Sequence, residues 1–464
     1  MTTEPARRPI APMLSRRRVL GGAFAAGAAF GLRGPLGSSG AAMATPLIPE
    51  GPPTDTSGTT LLQEITAFAD RAAPYVPGCA VASFDAMTGE SGTYAVGWRD
   101  VGAGLPFETS TISYLESVSK AFTGLMFSQA VTEGLGRDGA LELDAKVSTF
   151  MAPYLASFGL VMPPTQSDIT LSQLANFSSG FLEEPSPYPT PSKNAYQYTQ
   201  AELATWLSSP LPVDSTASSG LYRHAQPGQK YFYSDVAVDL LGFILCDQLV
   251  LPSSPGNPDF DTLVRQMLVG PDRLDMGDTF VRRPGVAADR AAIGYASRPD
   301  PTQPNGPYVP ADDANDPPFF FGGGGGLSST ADDMVRLLQA LVVPTARGGL
   351  DRAVPFSLQH GFAQTSGATG LGWDRVFPQA EVTIVLKNGG GASGASALLG
   401  FSPDTRRSLF FMTNIDGFFA EGASVGPGTD VETVFKRLLG ETSPMPDAEL
   451  SPARPASATP SFTG

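Results

Sequence analysis

The chain has 464 residues, 42% of them apolar and only 16% charged, with 30 Lys+Arg against 45 Asp+Glu for a net charge of -15. That length and apolar content exclude wholesale disorder, and the acidic balance argues against a surface that neutralises phosphates or anionic lipid, so no nucleic-acid partner is expected. Two cysteines, Cys79 and Cys246, and two histidines, His224 and His360, are too few for a disulfide scaffold, an iron–sulfur site or a closed zinc site; no metal or organic cofactor is expected.

Residues 1–44 read as an export signal. Ser15-Arg16-Arg17-Arg18-Val19-Leu20 has the twin-arginine pattern, the apolar stretch 19–32 is too short to span a bilayer, and Ala42-Met43-Ala44 offers a cleavage site. The implied itinerary is passage through the twin-arginine translocase to the periplasm or beyond, with no stable membrane anchor after cleavage. Residues 45–59 and 441–464, rich in Pro, Ser and Thr, read as a linker and a disordered tail.

One body fills 60–440. β-like runs at 78–84 and 92–98 precede a long helical middle, and three more follow at 381–387, 395–401 and 408–413. Strands at both ends imply a sheet subdomain from 60–115 and 320–440, with a mostly helical subdomain, 116–319, inserted in it: an α/β (α+β) architecture whose site lies where the two parts meet.

The stretch Glu116-Ser117-Val118-Ser119-Lys120-Ala121-Phe122 opens a helix on the spacing of Phe122, Leu125, Met126 and Ala130. Ser117 and Lys120, three apart, share a helix face. A serine hydroxyl is a weak nucleophile that needs a base, and a partly desolvated lysine can serve. By itself S-x-x-K also describes a serine N-cap beside a solvated lysine.

With the residues around it, the motif resembles the class C β-lactamase-related serine hydrolases: penicillin-recognising DD-peptidases, class C β-lactamases and family VIII esterases. The resemblance is carried in order by Pro77-Gly78-Cys79-Ala80-Val81, Ser117-Val118-Ser119-Lys120, Leu141-Glu142-Leu143-Asp144, Ile169-Thr170-Leu171-Ser172-Gln173-Leu174, Tyr233-Ser234-Asp235, Gly325-Gly326-Leu327-Ser328-Ser329-Thr330, Gly370-Leu371-Gly372-Trp373 and Lys387-Asn388-Gly389-Gly390. It implies a β-lactamase/DD-peptidase-like fold, an antiparallel sheet flanked by helices. Ser117 is implied as the acylated nucleophile, Lys120 as its proton-accepting or electrostatic partner, and Tyr233 as the phenol that shares a proton with the serine and the leaving group. Lys387, Asn388 and Gly389 stand where the family has K-T-G on an edge strand, with Asp235 beside them in the substrate-binding set. Backbone N–H groups of Ser117 and of a residue on that strand are implied as the oxyanion hole. The substrate implied is a small ester or a D-amino-acid peptide, with a peptidoglycan stem peptide among the candidates. Rival roles are a DD-carboxypeptidase or β-lactamase, and a non-catalytic binder of cell-wall ligands.

The departures carry information. Asp235 replaces the family Asn, cannot donate its amide hydrogen bond, and is placed to pair with Lys120 and hold it charged. Asn176, in Leu174-Ala175-Asn176-Phe177-Ser178-Ser179-Gly180, and Asn388 leave no imidazole where relatives often keep one. The five glycines Gly322 to Gly326 lack the Lys-Ser/Thr of a phosphate loop and read as tight packing beside the site. Thr330-Ala331-Asp332-Asp333 reads as a capping box opening a helix over 331–341. Cys79 and Cys246 are expected as buried thiols, and the insert 183–220 as a wall of the acyl pocket.

Overall fold

The computed structural model describes residues 59–183, 199–215, 223–250, 259–281, 287–296, 308–311, 322–343, 349–364, 367–378, 382–391, 393–418 and 431–440. The stretches expected as export signal and tail, most of the expected linker and much of the insert at 183–220 lie outside them.

Helix α1 (Leu61–Ala72) starts where Thr60 and Gln63 cap one another, and it turns Leu61, Ile65, Phe68, Ala69 and Ala72 inward at helical spacing. It leads into β1 (Gly78–Asp85), β2 (Glu90–Asp100) and β3 (Leu105–Pro106). A short strand β4 (Ser113–Tyr114) precedes α2 (Ser119–Glu133). The middle of the chain is helical: α3 (Val147–Ser157), α4 (Pro164–Ser167), α5 (Leu171–Ala175), α6 (Gln200–Ser208), α7 (Asp235–Leu249) and α8 (Phe260–Val264). Strands β5 (Phe280–Val281) and β6 (Leu327–Ser329) then join β4 in a small antiparallel sheet. Helices α9 (Ala331–Val342) and α10 (Leu350–Gln359) follow, then β7 (Ala363–Gln364), β8 (Gly367–Ala368), β9 (Arg375–Pro378), β10 (Thr383–Gly391), β11 (Ala395–Ser402), β12 (Arg407–Thr413) and α11 (Val431–Leu438).

The main sheet runs β3-β2-β1-β12-β11-β10-β9-β8-β7, antiparallel throughout. It is built from both ends of the body, with β1 and β12 side by side inside it. Its two faces read off the period of two. Ala80, Ala82, Phe84, Val385, Ala397, Leu399, Phe401, Phe410 and Met412 join α2, α7 and α9 in one core. Cys79, Val81, Ile384, Leu386, Leu398, Leu409 and Phe411 join α1 and α11 in the other.

Two details correct the sequence expectations. β10 continues past 387 to Gly391, because Gly389, Gly390 and Gly391 keep register with Ala397, Ser396 and Ala395 despite the poor strand propensity of glycine. At α9 only half of the capping box forms: the Thr330 hydroxyl accepts from the Asp333 amide at 3.1 Å. The Asp333 carboxylate instead accepts from the Asp278 amide at 2.8 Å and the Thr279 hydroxyl at 3.0 Å, tying α9 to the turn before β5.

Candidate active site

Ser117 lies in a single tight turn, Glu116–Val118, that runs straight into α2. α2 is buried on every side from Ser119 to Ala130, as a central helix must be. A side chain at Gly124 would collide with the Leu371 carbonyl, and one at Gly372 (φ 80°) with the Lys120 carbonyl, so these two glycines let the 370–374 turn lie directly on α2. That contact brings Asp374 into the site.

Lys120, one helical turn after the serine, is fully buried. Its ammonium has three hydrogens and three acceptors: Ser117 Oγ at 2.9 Å, the Gly324 carbonyl at 2.5 Å, and the Asp235 carboxylate in an ion pair. Asp235 is held at the first turn of α7, where the helix dipole favours a carboxylate and the Ser234 hydroxyl caps the Ala237 amide. The glycine run sits beside this pair. Gly324 N donates to Asp239 Oδ1 at 2.5 Å, and a Cβ at Gly324 would lie 2.7 Å from that carboxylate. Burial first, then Asp235, pushes Asp239 well above the usual carboxylate range.

Tyr233 donates to Ser117 Oγ at 2.7 Å, and its ring stacks on Phe177 with centroids 5.2 Å apart. The ring lies between two ammonium groups, Lys120 Nζ at 5.0 Å and Lys387 Nζ at 5.2 Å from its centroid. Burial, with Asp235 and Asp374 behind it, holds the phenol well above its ordinary pKa, so it rests protonated.

Lys387 follows Val385 on the α2 side of β10, which is why a strand lysine faces the serine. It too is fully buried, donating to Asp374 Oδ2 at 2.5 Å and to the Asn388 carbonyl at 2.7 Å. Burial draws its pKa down to about 8 although Asp374 pulls it up. β9 pairs only with Thr383 to Leu386, which leaves the edge of β10 from Lys387 onward unpaired by that strand. There Gly389 presses on the nucleophile turn: a Cβ would lie 2.6 Å from the Leu115 carbonyl and 2.8 Å from Ser117 N. Alternation turns Asn388 to the opposite face, so of the three K-T-G positions Lys387 and Gly389 reach toward Ser117 while Asn388 contributes its carbonyl.

A family model described as Beta-lactamase matches residues 71–427. The chain belongs to the Beta-lactamase family. A "Beta-lactamase" of Yersinia enterocolitica is 25% identical over 304 residues, and the chain spans 64% of that relative's length as well as 64% of its own. Among solved structures, "A class C beta-lactamase" superposes with a TM-score of 0.60 at 17% identity, covering 83% of this chain and 96% of that one. The "Beta-Lactamase/D-Alanine Carboxypeptidase from Pseudomonas syringae" gives 0.60 at 18%, covering 83% and 98%. These likenesses show the fold, a mixed α/β body with an antiparallel sheet.

Within this Beta-lactamase family chain, the structure brings together Ser117, Lys120, Tyr233, Asp235, Lys387 and Gly389. Sequence reasoning missed Glu116, Asp239 and Asp374. Asp239 carried a signal in its spacing of four from Asp235 on one helix face, and Asp374 in its place directly after Gly370-Leu371-Gly372-Trp373. Glu116 takes a left-handed φ of 50°, and its half-buried carboxyl accepts from the Ser393 hydroxyl beside Gly391. Burial, reinforced by Asp416, raises it to about 7. The histidines stand apart: His224 stacks on Phe232, His360 Nδ1 contacts the Phe356 carbonyl, and neither touches Ser117 among the described residues. Cys79 and Cys246 are free, buried thiols.

Proposed function

We propose that this protein is an exported serine hydrolase that works through an acyl-enzyme on Ser117, cleaving a carboxylic ester or an amide of a small or D-amino-acid-containing substrate. The observation that carries the reading is the convergence of Lys120 Nζ and Tyr233 Oη on the Ser117 hydroxyl. Ser117 Oγ attacks the carbonyl, giving its proton to Lys120 as Lys120 hands one to Asp235. The Ser117 amide, at the start of α2 and against Gly389, faces the developing oxyanion. Collapse breaks the bond to the leaving alcohol or amine, which takes the phenolic proton of Tyr233. In the second half the Tyr233 phenolate takes a proton from the attacking water. The acyl group departs as the acid, and Ser117 recovers its proton from the Lys120–Asp235 pair.

A second reading, a β-lactamase or DD-carboxypeptidase, is favoured by the names of the relatives. Against it stands Asp235, which cannot donate an amide hydrogen bond to an acylamino group. The export step rests on the twin-arginine pattern and the site at Ala44; the mass of protein recovered outside the cytoplasm should correspond to a chain starting at Thr45, and a full-length mass there would overturn it.

Intact mass after brief exposure to a p-nitrophenyl short-chain ester and, separately, to a penicillin tests the chemistry. An ester adduct or nitrophenol release in the wild type, lost in Ser117→Ala, is the expected result. A long-lived penicillin adduct would move the assignment to a DD-peptidase. No adduct and no turnover with either would leave a binding protein on the fold.

A further inference from the structure

Both cations next to the nucleophile are already spoken for. Lys120 is paired with Asp235, and Lys387 with Asp374 at 2.5 Å, with both lysines fully buried. Asp374 is 7% exposed, and its second oxygen, Oδ1, is buried with no hydrogen-bond partner among the described residues, so the clamp leaves an acceptor over rather than a donor. Further acids close in: Asp239 behind Lys120, and Glu116 against Gly391 with Asp416 near it. Around the serine, the described charges balance to neutral or negative.

A β-lactam or a peptide ending in a free D-amino acid carries a carboxylate on the carbon attached to the scissile nitrogen. In the reading above the scissile nitrogen takes its proton from Tyr233, which lies 2.7 Å from Ser117 Oγ. The carboxylate, two bonds from that nitrogen, would then come to the Tyr233 side of the serine, where Lys387 Nζ stands 5.2 Å from the ring centroid, and an unpaired positive charge there is what would receive it. Resting on the acyl-enzyme reading above, we infer that Asp374 is a specificity-determining residue: by clamping the Lys387 ammonium it withholds that charge from the substrate. With the Asp235–Lys120 pair, it directs Ser117 to esters or amides that bear no carboxylate beside the scissile bond. Asp374 acts through Lys387 and is a positioning residue. It keeps the ammonium beside the Tyr233 ring, where it supports the phenol and not the ligand.

The test compares two acetyl esters that differ only in charge, those of 3-hydroxybenzoic acid and of its methyl ester, each rate divided by that ester's alkaline hydrolysis rate. In the wild type, kcat/KM should favour the neutral ester by about tenfold or more. In Asp374→Asn the preference should narrow by about tenfold, through a lower KM for the anionic ester, and the narrowing should grow as the assay pH is lowered, because loss of the Asp374 charge and hydrogen bond lowers the Lys387 pKa further. Because the ratio is taken within one protein, a general loss of activity does not move it. If Asp374→Asn does not fold, Asp235→Asn, which uncouples the other lysine, should shift the ratio in the same direction. A wild-type ratio near one, or a ratio unmoved in the folded variant, overturns the inference while leaving the hydrolase reading intact. Neither ester turned over, with no adduct on Ser117, overturns both.

Discussion

The hydroxyl of Ser117 accepts from an ammonium and from a phenol at once, and each donor is held in place by a carboxylate or by burial. The ion pair at Asp235 is the departure with the most direct consequence. Asp235→Asn restores an amide donor and removes the carboxylate that holds Lys120 charged, so that Lys120 can shed its proton to solvent and take the Ser117 proton as a neutral amine. Penicillin acylation, followed by mass, should rise by about tenfold; no change would remove Asp235 as the limit. Glu116 gives a pH prediction. Its carboxyl is raised from 4.5 to about 7, chiefly by burial, so the folded state holds a proton that the unfolded state releases. The stabilisation is fully present below pH 4.5 and fades as pH rises toward 7, by up to about 3 kcal/mol from this group. Urea unfolding across that window should show the decline in the wild type and a flatter profile in Glu116→Gln, which keeps a group able to accept from Ser393.

Elements deliver these residues by close backbone contact. Gly389 is where β10 meets the nucleophile turn, and Gly389→Ala forces a methyl into the Leu115 carbonyl and the Ser117 amide. Thermal melts should report a cost of about 1–3 kcal/mol, with acylation of Ser117 falling more steeply than stability, because the displaced amide is the one facing the oxyanion. The strands were legible in the sequence as apolar runs of the right length, and the nucleophile helix as a 3.6-residue period. The glycine run was legible as packing beside the site, and it is where Lys120 and Asp239 find their backbone partners. What stayed hidden is the set of acids. Asp374 and Asp239 are unremarkable in their own stretches, and they acquire a role only through partners such as Gly324, 85 residues from Asp239 in the chain. Local pattern does not report on such pairings.

At the scale of the whole molecule, the two cysteines report on the two cores. Cys79 lies in the α1 and α11 layer at 0% exposure, and Cys246 in the helical layer at 2%. Burial raises both thiols, so neither should react with iodoacetamide in the native protein. Because one sheet separates and unites the two layers, both should label at the same urea concentration; labelling of one well before the other would reveal two units of different stability. The same sheet has a consequence for synthesis. Its β1–β12 pair joins Gly78 to Thr413, 335 residues later, so β1 leaves the ribosome long before that neighbour exists. At about 5–20 residues per second that delay is about 17–67 s, during which an apolar eight-residue strand waits with one edge open. The β1–β12 edge of the sheet can therefore close only once nearly all of the chain has been made.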